Sequence, residues 1–174
     1  MTDNQLIDVS FQATINAPFD KIDIPAWCFT LPEHEYQGCS AAHVAAGFTT
    51  SPEGRRMSIN VEVIGGTILV QHYVETLGRK DHLILESVTD AFTSTGRSTF
   101  HVTWEMSVRD MGDGRCEFTN HVRSAGSRDL LTSLARQGIP FDQFRAQRQP
   151  ASTTHVRDET PLFAASIERA ARAA

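Results

Sequence analysis

From Thr99 to Val108 the chain alternates without a break. Phe100, Val102, Trp104, Met106 and Val108 fall on one face, and His101, Thr103, Glu105 and Ser107 on the other. A period of two held this long predicts a half-buried antiparallel strand. "CEFTNHVRS" alternates next, with Cys116, Phe118, Asn120 and Val122 against Glu117, Thr119, His121 and Arg123, and "MGDGR" between the two runs reads as a hairpin connection. Upstream, "RRMSINVEVI" sets Met57, Ile59, Val61 and Val63 on one face, and "TILVQHYVET" does the same with Ile68, Val70, His72 and Val74. Gly65 and Gly66 join these runs and supply the positive φ of a tight primed turn. "HLILESV" adds a fifth strand and "HVAAGFTT" a sixth, separated by "SPEG", "LGRKD" and "TSTG", all of turn composition. "VSFQATINAP" makes a seventh, with Phe11, Ala13 and Ile15 on one side.

The period changes after Ser127. "SRDLLTSLARQG" has Ser127 as N-cap, Leu130, Leu131 and Leu134 along one stripe, and Gly138 where a helix end favours positive φ. A second helix starts at Pro140 with Phe141 and Phe144 inward, and a third, "PLFAASIERAARA", at Pro161 with Phe163, Ile167, Ala170 and Ala171 on one side. One strand, an irregular stretch, a six-stranded meander and C-terminal helices is an α+β order.

Composition narrows the function classes. A chain of 174 residues with no internal repeat and no long linker is expected to be one domain, residues 1–174, able to bury a sizeable core. The formal net charge of -5 leaves no basic surface for a phosphate backbone or an anionic membrane. "MTDNQLIDVS" has neither a positive n-region nor an apolar h-region, and no run approaches the roughly 20 apolar residues that span a bilayer. A cytoplasmic protein with no nucleic-acid or membrane partner is therefore expected. Cys28, Cys39 and Cys116, odd in number and at no zinc or redox spacing, fit reduced thiols. The sequence does not fix an oligomeric state, and a homodimer is compatible with it.

The element order, together with "VSFQATINAPFDKI", whose "INAP" looks like the end of a first strand, resembles the helix-grip fold of the START-related (SRPBCC) superfamily. That group includes the birch pollen allergen, polyketide aromatase/cyclases and lipid-transfer domains. "DIPAWCFTLPEHEYQGCS" departs from it, with two prolines where the family shows a regular amphipathic helix. The resemblance implies a seven-stranded antiparallel sheet wrapped around a C-terminal helix. It also implies an internal cavity for a small hydrophobic, aromatic or polyketide-like molecule, with cyclase- or lyase-like chemistry or simple carriage as its use.

On the alternation above, the expected lining is Ile59, Val61, Val63, Ile68, Val70, Val74, Phe100, Val102, Trp104, Met106, Phe118 and Val122. Two polar residues interrupt that face, His72 and Asn120. Each is either a core group satisfied within the protein or a functional one, His72 as general acid/base and Asn120 orienting a ligand carbonyl or phenol. His101 and His121 fall on polar faces. In "HVRDETPLF", Thr160 and Pro161 form an N-cap and N1 pair, which makes His155 and Glu159 residues that precede a helix start. On that reading no metal or other cofactor is expected. The alternative is that His-x-x-x-Glu resembles half of the zinc site of the phloretin and acylphloroglucinol hydrolases, which use two His and two Glu. His155 and Glu159 would then need two partners from the sheet, with Glu62, His43 or His72 available.

Overall fold

The structure is a computed structural model that describes residues 4–173. Seven strands form one antiparallel sheet: β1 (Gln5–Ile15), β2 (His43–Thr50), β3 (Arg56–Ile64), β4 (Thr67–Arg79), β5 (His82–Thr93), β6 (Gly96–Gly112) and β7 (Arg115–Gly126). Their order is β1-β7-β6-β5-β4-β3-β2, so six consecutive strands run as a meander and β1 closes beside the last of them. The irregular stretch folds as a short 3-10 turn, Phe19–Lys21, followed by α1 (Ile24–Cys28) and α2 (Glu33–Gly38). After β7 come α3 (Arg128–Gln137) and a long α4 (Phe141–Ala173) that lies against β1 and β7 and reaches α1 and β3. This is the helix-grip arrangement.

Several local expectations hold in detail. Ser127 caps α3 by accepting from the Leu130 N–H, and Gly138 ends it at φ 67. Gly65 and Gly66 turn β3 into β4 at φ 57 and 76, and a Cβ on Gly65 would also sit 3.2 Å from that of Ala151 on α4. Phe100, Val102, Trp104, Met106, Val108 and Phe118 are buried as the alternation of β6 and β7 requires. The side chains of Met106, Phe118, Leu83 and Leu85 are fully enclosed, each stabilising the fold by about 1.5–3 kcal/mol. All three cysteines are buried free thiols, and burial pushes Cys28 up to about 12.

Two expectations are corrected. On β3 and β4 the apolar face is the outer one: Val63 and Ile68 are exposed, and Ile59, Val61, Val70, His72 and Val74 are only partly covered. The buried face carries Ser58, Asn60, Glu62 and Ile64 on β3, and Thr67, Leu69, Gln71 and Tyr73 on β4. The two-residue turn pairs Val63 with Ile68 and Val61 with Val70, so both strands share one parity and face the same way. Inward polar groups bond to one another: the Ser58 hydroxyl donates to Asn60 Oδ1 at 2.6 Å, and Gln71 Nε2 to Glu62 Oε2 at 2.9 Å.

The second correction concerns the C-terminal helices, which are one. Pro150 and Pro161 lie inside α4, and each removes one i→i−4 hydrogen bond. Both prolines are exposed, as are Ala146 and Arg157, the residues whose carbonyls lose a partner, so water can satisfy them. Thr160 is not an N-cap. It is fully buried, and its hydroxyl donates back to the Val156 carbonyl at 2.5 Å. His155 and Glu159 therefore stand one turn apart on the inward face of a continuous helix.

Candidate metal centre

Helix α4 presents His155 and Glu159 toward the sheet, β2 begins with His43, and β3 supplies Glu62. His43 Nε2 and His155 Nε2 each lie 3.1 Å from the same oxygen, Glu159 Oε2. Glu62 stands slightly further back, with Oε1 3.8 Å from His43 Nε2 and Oε2 3.8 Å from His155 Nε2. His43, His155 and Glu159 offer one ligand atom each within 4.8 Å of one another. A tetrahedral cation at 2.0–2.2 Å from its ligands would hold those atoms about 3.4 Å apart. The observed spacing brackets that value.

The surrounding bonds fix how these groups point. His43 Nδ1 lies 2.7 Å from the Tyr36 carbonyl, which can only accept, so Nδ1 carries the proton. In a neutral ring Nε2 then presents a bare lone pair to a carboxylate oxygen. Only a second proton or a cation between them removes that conflict. The His43 ring also stacks on Tyr36, with centroids 3.9 Å apart. His155 Nδ1 contacts the Ser40 hydroxyl at 3.2 Å. Tyr36 donates to Glu62 Oε1 at 2.5 Å and Gln71 to Glu62 Oε2. Asn120 Nδ2 donates to Glu159 Oε1 at 3.0 Å while Asn120 Oδ1 accepts from Trp104 Nε1 at 2.8 Å.

The electrostatics are those of a buried anionic pocket. Burial alone would raise Glu159, but His155 and His43 outweigh it and hold the carboxyl at about 2. Burial alone would lower His155, and the Glu159 carboxylate, with Glu62 behind it, carries it up to about 9. Two carboxylates and two neutral imidazoles balance one divalent cation, which is the charge the donor set fits.

A cavity of about 60 Å³ opens beside the cluster. Trp104, Phe163, Val102 and Tyr73 form much of its wall, and Glu62, His155 and Glu159 reach into it. The Tyr36 and Tyr73 phenols are both held well above their usual range by burial and by Glu62, so they stay protonated.

Of the residues singled out in the sequence, Phe100, Val102, Trp104 and Val122 line the cavity, while Met106 and Phe118 are core beneath it. Val61, Val63, Val70 and His72 face outward, and the His72 backbone N–H bonds to Ser87. Asn120 is fully buried with its bonds met inside the protein, so it orients Glu159 rather than a ligand. Glu62, His155 and Glu159 are brought together, and His43 completes them. Sequence reasoning missed Tyr36, Gln71, Tyr73 and Arg148. The signal for Gln71 and Tyr73 was that Glu62, on the facing strand, shares their side.

No protein-family profile matches the chain, and no curated protein is significantly similar to it in sequence. Solved structures are similar in fold. The Zhui aromatase/cyclase from Streptomyces sp. R1128 superposes with a TM-score of 0.67 at 13% identity, over 94% of each chain. A START superfamily protein from Mycobacterium smegmatis gives 0.54 at 11% identity, over 95% of this chain and 97% of that one. The di-domain aromatase/cyclase StfQ of the steffimycin biosynthetic pathway gives 0.60 at 10% identity, over 98% of this chain and 53% of its own. The chain thus has the START-related helix-grip fold of the polyketide aromatase/cyclases.

Proposed function

We propose that this chain is a metal-dependent hydrolase, in which His43, Glu62, His155 and Glu159 hold a divalent cation beside a cavity that seats a small, largely apolar carbonyl compound. The observation that carries this reading is the direction of the two imidazoles: both aim Nε2 at one carboxylate oxygen, and His43 does so with its proton committed to the Tyr36 carbonyl. A cation held there supplies Lewis-acid polarisation of the carbonyl and activation of water. Asn120, Tyr36 and Gln71 keep the two carboxylates pointed inward. Tyr73 lines the cavity, and its hydroxyl makes no hydrogen bond among the described residues, which leaves a neutral donor for negative charge developing on a substrate oxygen. Trp104 and Phe163, with ring centroids 5.7 Å apart, help exclude bulk water.

The shared fold supports an aromatic or polyketide-derived ligand, and the cavity's size favours a small one. Its 60 Å³ corresponds to about four to six water sites. Metal-free acid/base chemistry by His72 has no geometric support, since that ring lies on the outer face of the sheet. The test is turnover of small aryl ketones and phenyl esters by chelator-treated protein before and after zinc or manganese is restored, followed by mass spectrometry. Cleavage that needs the metal and is lost in Glu159→Gln is expected. Cleavage indifferent to metal, or none by protein carrying a bound ion, would overturn the reading.

A further inference from the structure

Arg148, Ser152, His155 and Glu159 recur along α4 at spacings of four, three and four, so they share one face, and all four line the cavity. Arg148 and Glu159 are eleven residues apart, about 16 Å along the helix, which puts a cation at one end of the cavity and the carboxylates at the other. The Arg148 guanidinium donates to the Thr67 hydroxyl at 2.7 Å and lies 5.6 Å from the Phe144 ring centroid. No carboxylate pairs with it among the described residues, unlike Arg56, Arg97 or Arg169, each held by one. Burial lowers its pKa and no acidic neighbour offsets that. A partly desolvated cation with donors to spare is suited to receive an anion.

A second, independent observation comes from the opposite wall. Gln71 is 5% exposed, and its Nε2 donates to Glu62 Oε2, an atom that only accepts, which fixes the amide and turns Oε1 away. Gln71 Oε1 is the one fully enclosed side-chain N or O atom among the described residues without a hydrogen-bond partner. Leaving an acceptor buried without a donor is unfavourable, so one beside a cavity calls for a donor from whatever fills it.

We propose that the cavity recognises a small apolar carboxylate that also carries a hydroxyl group, with the carboxylate on Arg148 and the hydroxyl donating to Gln71 Oε1. This rests on the cavity being the substrate site and not on the metal. It orients the molecule along α4, its acid end at Arg148 and its reacting end toward His155 and Glu159. A carboxylate suits the site better than a phosphate, because one guanidinium balances one charge and the two glutamates beyond it would repel a dianion.

The test compares 4-hydroxyphenylacetate, its uncharged amide, phenylacetate and phenyl phosphate by calorimetric titration into wild-type protein, metal-free and zinc-loaded. The expected result is that the hydroxy acid binds at least tenfold more tightly than its amide and more tightly than phenylacetate. Arg148→Met should erase the first preference and Gln71→Leu the second. Equal affinity for acid and amide, no binding of either, survival of the acid preference in Arg148→Met, or tighter binding of phenyl phosphate would each overturn the proposal. His155→Ala separates this from the hydrolase reading. An acid preference that persists there without metal upholds the anion site alone, and metal bound without any acid preference sinks the anion site while leaving the hydrolase.

Discussion

Replacing Asn120 by leucine keeps the volume and removes a junction of three hydrogen bonds. The side chain is fully buried, accepts from Trp104 Nε1 at 2.8 Å, and donates to Glu159 Oε1 at 3.0 Å and Thr160 Oγ1 at 3.2 Å. Thr160 keeps its bond to the Val156 carbonyl and loses little. Trp104 is left with a buried donor and Glu159 with a buried ionic oxygen, each unpartnered at about 1–3 kcal/mol. Allowing for coupling between the two, the loss should be about 3 kcal/mol. With a urea slope of about 2 kcal/mol/M, the unfolding midpoint should fall by about 1.5 M. Because Asn120 orients a carboxylate of the proposed metal site, zinc affinity should fall by about 10- to 100-fold in the same variant. Asn120→Asp should restore the Trp104 bond while facing Glu159 with a second carboxylate, and so recover part of the stability and none of the affinity. A leucine variant within about 0.5 kcal/mol of wild type, with unchanged zinc affinity, would refute the reasoning.

Pro161→Ala should raise stability by about 1–3 kcal/mol in thermal melts, because it restores a hydrogen bond inside a continuous helix, whereas a fall would mean that a helix starts there. Thr160→Ala should cost about 1–2 kcal/mol through a lost buried bond rather than a lost cap, visible as a lower urea midpoint. His72→Ala should change stability by less than about 0.5 kcal/mol and leave metal content alone, and a loss of metal would place that ring inside. Metal uptake should release protons near pH 7: without metal His155 holds its proton up to about pH 9, since Glu159 and Glu62 outweigh the effect of burial. Affinity should therefore rise with pH up to that value, and calorimetric heats should differ between buffers of unlike ionisation enthalpy. Buffer-independent heats would contradict this.

Strands, turns and the α3 caps were legible because each rests on local chemistry, an alternation or a glycine at positive φ. The inward face of β3 was not. Met57, Ile59, Val61 and Val63 are the apolar set, and burial of apolar surface is the ordinary expectation for a half-buried strand. Here Glu62 and Gln71 are held inside by mutual bonds and by Tyr36, and Val63, Ile68, Val88 and Phe92 are left exposed outside. Such an arrangement is invisible until the partners from α2 and α4 are placed. The Thr160–Pro161 pair misled for a related reason. Its local signal is a helix start, and packing of Val156, Phe163, Ala164 and Ile167 along one stripe overrode it. Half of the candidate metal cluster, His155 and Glu159, was visible as a four-residue spacing, but whether the pair stands at a helix boundary or on one face of a continuous helix needed the tertiary fold.

Metal content, measured on protein refolded with zinc and dialysed free of excess, bears most directly on the central claim. About one ion per chain is expected for wild type, with His43→Ala, His155→Ala and Glu159→Gln each removing most of it, and Glu62→Gln weakening it. His72→Ala serves as the control that keeps its metal. A folded wild-type protein that retains no zinc, or a His155→Ala, Glu159→Gln double variant that retains all of it, would contradict the assignment of these four side chains as a metal site.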